Sequence, residues 1–307
     1  MTTPAATVRS AAPPQPRIIV FGDVVNSVTA VPARAIRPFT DTPSSIERSR
    51  GGAAADTAVW LGVLGAAVDF VGIAGAADAD RHCARLSEAG VTPHIAVHDS
   101  LLTGTIVVIV EGDDRTCLTE RGANAELDPD SVTDELLAGA AALHLTGHSL
   151  FGAADIRPVV RLIERARAAG VLVSVDPVSA EHLERYGPSR FLSDIAGADV
   201  VVPNWEEGAL LTGLASPRDI AASLAATFGV AAVTLDEDGA VVAASSGVLG
   251  SVAADDVAVV NPSGAGDAFA AGFLLEWVRS RDALLAGRAG AAAGGRAVGA
   301  HAATPVA

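Results

Sequence analysis

The sequence predicts an α/β domain built on a mostly parallel sheet covered by helices on both faces, with a small β flap inserted into it. Three observations predict this. Short apolar β-rich runs alternate with helix-length segments from Arg17 onward, the pattern of βαβ units. Polar residues recur just after predicted strand ends, at Asp23, Asp176, Asn204 and Asp236, where open α/β sheets bind ligands. The segments near 30–50 and 100–122 break the alternation and fit no place in that layer.

The elements follow in order. Arg17-Ile-Ile-Val-Phe-Gly22 reads as a buried strand ended by glycine. Residues 30–50 are rich in Pro, Thr and charge, with poor periodicity, and read as a loop or exposed flap. Gly51-Gly52 precede an apolar, small-residue helix from Ala53 to Leu64, and Trp60 on it reads as core. Val68–Ile73 is a strand, and Asp80–Ala89 a helix stopped by Gly90. Thr103–Val110 and Arg115–Thr119 form a hairpin across Glu111-Gly112-Asp113-Asp114. Strands then follow at Ala141–Leu145, Val171–Val175, Asp199–Val202, Ala231–Leu235, Val241–Ala244 and Val257–Val260. Helices are expected at Arg157–Ala169, Glu206–Leu211, Ala268–Arg279 and Ala283–Ala300.

The 307 residues are half hydrophobic but only 4% aromatic, so the core must be built mainly of Ala, Val, Leu and Ile. No apolar run reaches bilayer length free of charges or turn residues, so no membrane partner is expected. Residues 1–16, rich in Ala, Thr and Pro, lack an apolar signal core and read as a disordered leader before a domain at 17–307. Cys83 and Cys117 are too few for a disulfide framework or zinc site, which implies a reduced, cytoplasmic setting. The net charge of −15 argues against a general nucleic-acid surface but not against a nucleotide ligand.

The most informative stretch is Asn261-Pro-Ser-Gly-Ala-Gly-Asp-Ala-Phe269, a Gly-rich turn opening straight into a helix. Gly264, Ala265 and Gly266 leave backbone N–H groups unobstructed at the positive helix end, which favours an anion. Asp267 stands beside that hole. An anion site next to a base suits deprotonation of a hydroxyl with stabilisation of a transferring phosphoryl group. Taken alone, the same residues also fit an ordinary strand-to-helix turn.

Over residues 17–300 the chain resembles the ribokinase-like, PfkB-type family of carbohydrate and nucleoside kinases. The motifs that carry the resemblance come in order: Gly51-Gly52-Ala-Ala-Ala-Asp56-Thr-Ala58; Thr103-Gly-Thr105 with Gly122-Ala-Asn124; Pro203-Asn204-Trp-Glu-Glu207; Val233-Thr234-Leu-Asp236-Glu-Asp-Gly239-Ala240; and Ser263-Gly-Ala-Gly-Asp267-Ala-Phe269. The resemblance implies a three-layer ribokinase-like sandwich with a β lid contributed by about 28–50 and 100–122. It implies transfer of the γ-phosphoryl group of ATP, with Mg²⁺, to a hydroxyl of a sugar, sugar acid or nucleoside. Asp267 would be the general base and Gly264, Ala265 and Gly266 the anion hole. Asp23, Ser27, Gly51, Gly52, Asp56 and Asn124 would bind the acceptor. Asn204, Glu207, Thr234, Asp236, Gly239 and Ser263 would serve the nucleotide, with Glu207 reaching the metal through water. Asn204 and Glu207, three apart at a helix start, equally suit an N-cap pair. A homodimer through the β lid is the assembly the resemblance allows.

Four residues depart from the family pattern. Ser27 stands where a carboxylate that grips acceptor hydroxyls is usual, with Asp23 and Asn26 nearby, and Asp56 stands where the motif has Asn. The two changes fit a carboxylate moved from one pocket wall to the other, and equally fit drift in a protein that has lost activity. Asn261 replaces a common Asp, which leaves a monovalent-cation requirement open, and Asp236 replaces a common Gly beside the phosphates. These departures keep a second class in play, a catalytically weak ligand-binding or regulatory protein on the kinase fold. His144 and His148 flank a predicted strand end near the acceptor, Arg121 lies on the flap, and Asp176-Pro177 reads as a strand-end turn.

Overall fold

The computed structural model describes residues 15–112, 114–151, 153, 155–300 and 303–305. Most of the leader expected over 1–16 therefore lies outside the described residues. The strands are β1 (Arg17–Phe21), β2 (Val25–Pro32), β3 (Ser44–Gly51), β4 (Ala67–Gly75), β5 (Val91–His98), β6 (Gly104–Glu111), β7 (Asp114–Glu120), β8 (Ala142–Thr146), β9 (Leu172–Asp176), β10 (Val200–Val201), β11 (Val230–Thr234), β12 (Ala240–Ala244) and β13 (Gly247–Val252). The helices are α1 (Ala53–Val63), α2 (Ala79–Glu88), α3 (Asp134–Leu137), α4 (Arg157–Ala168), α5 (Ala180–Tyr186), α6 (Pro188–Asp194), α7 (Trp205–Thr212), α8 (Pro217–Phe228), α9 (Ala265–Ser280) and α10 (Ala283–Val298).

A nine-stranded sheet runs in the order β13-β12-β11-β10-β9-β8-β1-β4-β5. It is parallel from β11 to β5, and β12 and β13 add an antiparallel edge. Alternation along β1 sends Ile18 and Val20 to one face and Ile19 and Phe21 to the other. The first face packs under α1, α2, α9 and α10, the second under α4 to α8. With few aromatics, the core closes through small residues. A Cβ at Gly272 of α9 would stand 2.6 Å from the Ala289 carbonyl oxygen of α10, so the two backbones approach closely.

After β1 the chain winds one way to β4 and β5, then returns to β8 on β1's other side and proceeds to β11. The carboxyl ends of β1 and β8 therefore flank a topological switch point, where such sheets form a crevice. Over it stands a second sheet, in the order β3-β2-β6-β7. Its two central strands, parallel β2 and β6, are tied at their roots to one carboxylate. Asp78, at the start of α2, accepts from the Asn26 amide and from the Thr103 hydroxyl. His82 Nε2 meets Asn26 Oδ1 at 3.2 Å. Asn26 thus faces away from the crevice and is not the acceptor ligand its neighbourhood suggested.

Other sequence expectations are corrected here. Residues 257–260 are not a strand. Val259 is 67% exposed, and the N–H groups of Val260 and Asn261 bond to the Val298 carbonyl at the end of α10 rather than to a ladder. The outer strand is β13 instead. β5 went unread because Pro93 interrupts it, a residue tolerated at a sheet edge. No described helix is long and apolar enough to cross a membrane.

Candidate active site

The crevice is built from strand ends. Asn261 Oδ1 accepts the Ser263 N–H at 2.9 Å and turns the chain toward α9. Gly264 then takes a φ of 80° against the Ala303 carbonyl, where a Cβ would stand only 2.7 Å away. Glycine is the residue that fits there. No side chain caps α9, so the leading N–H groups of Ala265, Gly266 and Asp267 lack the side-chain partner found at most helix starts.

Asp267 is the third residue of α9. Burial pushes its carboxyl well above the ordinary carboxylate range. The charges of Asp56, Asp176 and Asp23 push the same way and Arg85 opposes them. Carboxylates from β1's end, α1 and β9's end thus lie close enough to act on the one in α9.

Each is held differently. Asp23 Oδ1 accepts the Ala54 N–H at 3.3 Å at the start of α1. Gly52, with a φ of 117°, lets the chain pass where a Cβ would lie 2.5 Å from the Asp23 carbonyl oxygen. A Cβ at Gly51 would meet Asp56 Oδ2 at 3.0 Å. Asp56 accepts from Arg85 Nη2 at 2.5 Å, and Arg85 also donates to Thr304 Oγ1 at 2.9 Å. Burial raises Asp56 to about 6, with Arg85 working against the rise. Arg85 Nη1 is buried with no hydrogen-bond partner among the described residues. The carboxylate that looked transferred from Ser27's wall therefore has its own counter-ion.

Asp176 links two groups of residues. Its Oδ1 accepts the Val178 N–H at 3.0 Å, the turn role read from sequence, yet it also acts on Asp267 and Glu207. Burial is the main cause that raises Asp176 to about 7, and burial followed by Asp176's charge raises Glu207 to about 8. Glu207 and Asn204 form a reciprocal capping box on α7. Asn204 Oδ1 accepts the Glu207 N–H at 2.8 Å, and Glu207 Oε2 accepts the Asn204 N–H at 2.9 Å. A β-bridge joins Asn204 to Thr234. Asp236 lies beyond, exposed, with a φ of 50°. That is the left-handed conformation a glycine would adopt freely and Asp tolerates, so its charge faces solvent. Gly239, nearby, leaves no room for a Cβ, which would stand 2.0 Å from the Val252 carbonyl oxygen.

A cavity of about 380 Å³ opens between Asp23 and the second sheet. Val25, Ile106 and Thr119 line it. Ser27 shares their face, because it is two residues from Val25 and in register with Ile106, which pairs with Thr119. Asn124 lines the cavity too, but its amide is committed to the backbone. Nδ2 donates to the Val24 carbonyl at 2.7 Å, and Oδ1 accepts the Val24 N–H at 3.3 Å.

Sequence reasoning missed Arg85, undervalued Asp176 and left the far cavity wall almost unread. His148, Phe151, His182 and Tyr186 form that wall, with His182 stacked on Phe151 at 5.7 Å between ring centres. The two flanking histidines part company. His148 lines the cavity, whereas His144 is buried against Ser174 and held neutral by burial, its pKa lowered to about 4. Only the recurrence of ring-bearing residues between Gly147 and Tyr186 could have signalled the wall.

Comparison with known proteins bears on the family and the fold. Residues 15–306 match the model of the pfkB family carbohydrate kinases. The chain is 30% identical over 274 residues to an ATP-dependent ribose-1-phosphate kinase of Halopiger xanaduensis, covering 83% of this chain and 87% of that protein. It is 29% identical over 277 residues to fructokinase-1 of Zea mays, covering 87% and 84%. The fold is shared with an adenosine kinase from Sinorhizobium meliloti, at a TM-score of 0.84 and 23% identity over 95% of this chain and 96% of that one. It is also shared with an E. coli chain solved in complex with ATP and Mg²⁺, at 0.80 and 22% over 93% of each.

Proposed function

Because the chain belongs to the PfkB family of carbohydrate kinases and is therefore a phosphotransferase with a hydroxyl acceptor, we propose that Asp267 is its general base and the start of α9 its anion site. The observation that carries this reading is the uncapped helix start with Asp267 in its first turn, where the charges of Asp56, Asp176 and Asp23 act on it. A carboxyl raised in this way is a better proton acceptor than an ordinary one, which suits a general base working near neutral pH. The acceptor oxygen forms the new bond to the γ-phosphorus. The bond to the β,γ-bridging oxygen breaks, ADP leaves with that electron pair, and the acceptor proton passes to Asp267. The N–H groups of Ala265 and Gly266 stabilise charge on the transferring group.

ATP and Mg²⁺ are general to the family. Two buried carboxylates with raised pKa values, Asp176 and Glu207, are the chemistry that a nearby cation would relieve. Among the described residues no three His, Cys, Asp or Glu side chains converge as a metal site. Mg²⁺ would thus be held mainly by nucleotide phosphates and water, with Glu207 reached through water. Bound there, it would neutralise charge between the phosphates. Asn204, Thr234, Gly239 and Ser263 would border the nucleotide, with Asp236 at the rim.

The acceptor would lie in the cavity between Asp23 and the second sheet, served by Asp23 and Asn124 from its lining and by Ser27, Gly51, Gly52 and Asp56 from beyond the lining residues. The relatives named fructokinase and ribose-1-phosphate kinase point to a sugar or sugar derivative. The second sheet serves as the lid, excluding water as the acceptor binds. Its other face carries Val28, Ile46, Val107, Ile109 and Leu118, which supports a homodimer through this sheet. Asp56 and Asp236, which had favoured a catalytically weak binding protein, have an ion-pair partner and a solvent-facing turn respectively. The deciding experiment is ADP release with a panel of hydroxyl acceptors, comparing the chain with Asp267→Asn. Equal turnover in the two proteins rejects the assignment.

A further inference from the structure

Part of the cavity lining is basic, in a chain of net charge −15. Arg121 follows β7, His148 follows β8, and His182 and Arg185 lie three apart on α5; all four line the cavity. Their closeness is felt at His182. Burial is the largest cause lowering its proton affinity, and His148, Arg185 and Arg121 lower it further, against Glu181. Arg121 is half-buried, loses proton affinity mainly through lost water, and is opposed by Asp23.

Few acids answer this cluster. Glu120 lines the cavity but is exposed. Glu181 faces solvent, 4.0 Å from Arg185. Asp23 lines the same cavity and acts on Arg121, while Asp56, Asp176 and Asp267 are not among the lining residues. Arg121 spends one donor on the Asn124 carbonyl at 3.0 Å, and His148 packs edge-on to His182 at 5.6 Å. The lining therefore sets two arginines and two histidines against Asp23 and the exposed Glu120. Like charges gathered at low dielectric repel unless an anion joins them.

We propose that the acceptor is an anionic sugar derivative, its negative group held by Arg121, His148, His182 and Arg185 while a hydroxyl at its other end faces Asp23 and Asp267. Arginine matches the planar, multi-oxygen geometry of a phosphomonoester or carboxylate. The alternative, a nucleoside whose base stacks on the ring wall, finds its largest apolar ring, Phe151, already closed. Phe151 is 4% exposed, its ring already packed by His182, Tyr186 and Phe191. This inference rests on the kinase reading of the same site and names its substrate class.

The test uses the full chain with Mg²⁺ and ATP and matched acceptors: ribose against ribose 1-phosphate, fructose against fructose 6-phosphate, glucose against gluconate, and adenosine. The expected result is a kcat/KM at least tenfold higher for the anionic member of a pair. The phosphate and carboxylate arms tell which anion is preferred. Arg121→Gln and Arg185→Gln should each raise KM for that anionic acceptor at least tenfold more than for its neutral partner, with circular dichroism unchanged. Preference for adenosine or a neutral sugar overturns the proposal, as does an equal KM rise for both members of a pair. If no acceptor is phosphorylated, the kinase reading fails and calorimetry decides this one. Anion-selective binding lost in Arg121→Gln sustains it, and binding without selectivity overturns it.

Discussion

Arg85 and Asp56 form a buried ion pair, 2.5 Å between Nη2 and Oδ1, joining α2 to α1 beneath the anion site. Arg85 is 3% exposed and Asp56 8%. The pair explains how a carboxylate can occupy a position so close to Asp267. Its charge is compensated from behind, while Arg85 also moderates Asp267 itself.

Arg85→Met removes one partner and leaves a buried charge, which typically costs about 3–5 kcal/mol. Urea unfolding should show a loss of this size. Adding Asp56→Asn should recover part of it, because the orphaned charge is gone. Additive single effects would mean that the pair does not act as a unit.

Asp267→Asn should lower turnover by about two to four powers of ten, the typical contribution of a general base. The same change should not destabilise the ligand-free chain, because it removes a carboxyl whose ionisation the fold resists. Thermal unfolding and steady-state turnover on one preparation check both halves.

Ligand-free stability should fall as pH rises from about 6.5 to 8, above the range in which the buried His82 and His144, lowered from 6.5 to about 4, oppose the trend. Asp56, Asp176 and Glu207 have ordinary values of 3.8, 3.8 and 4.5, raised in the fold to about 6, 7 and 8. Between each pair of values the folded chain binds more protons than the unfolded one. Their stabilising contribution is therefore full below the ordinary value and lost as pH climbs through the raised one. Glu207→Gln should flatten the upper part of the slope. A melting temperature that rises across this window contradicts the assignment.

Glu207→Gln should also raise the Mg²⁺ concentration needed for half-maximal activity more than the acceptor KM, because an amide attracts a hydrated cation less. Gln can still accept the Asn204 N–H, so α7 keeps its cap. An unchanged Mg²⁺ titration with a large rise in acceptor KM would put Glu207 in the wrong half of the crevice.

Gly52→Ala should destabilise by about 1–3 kcal/mol, the cost of a non-glycine residue in strained backbone. The new methyl would meet the Asp23 carbonyl oxygen at 2.5 Å with φ at 117°. Acceptor binding should weaken with it, because Asp23 is displaced. Calorimetry with the best acceptor checks this.

Much of the fold was legible because periodicity reports burial. The strands from β1 to β12 that read clearly are apolar runs, and the helices α1, α4 and α9 end at glycine or charge. β13 escaped because Gly247 and Gly250 weaken its pattern, and residues 257–260 misled because apolar residues on a surface loop look like a strand. Within the site, short motifs revealed Asp267, Gly52 and the Asn204–Glu207 pair, since backbone geometry demands those residue types locally. Arg85 and the α5 wall were invisible for the opposite reason. Arg85 meets Asp56 from 29 residues away and Thr304 from 219, and only the tertiary fold creates those contacts.

The single carboxylate of Asp78 is bonded to the roots of both β2 and β6, and would be the fulcrum of any tilt of the second sheet. Strands rise about 3.3 Å per residue, so the far end of β2 at Pro32 is roughly 20 Å from Asn26. A tilt of about 10° at the fulcrum would carry that far end through roughly 3.5 Å, while Ser27, one residue from the pivot, would travel only about 0.6 Å. In such a tilt the root of the sheet would stay nearly stationary while its tip moved as a cover. Choice and enclosure of the acceptor proposed above would then be changed independently along one strand.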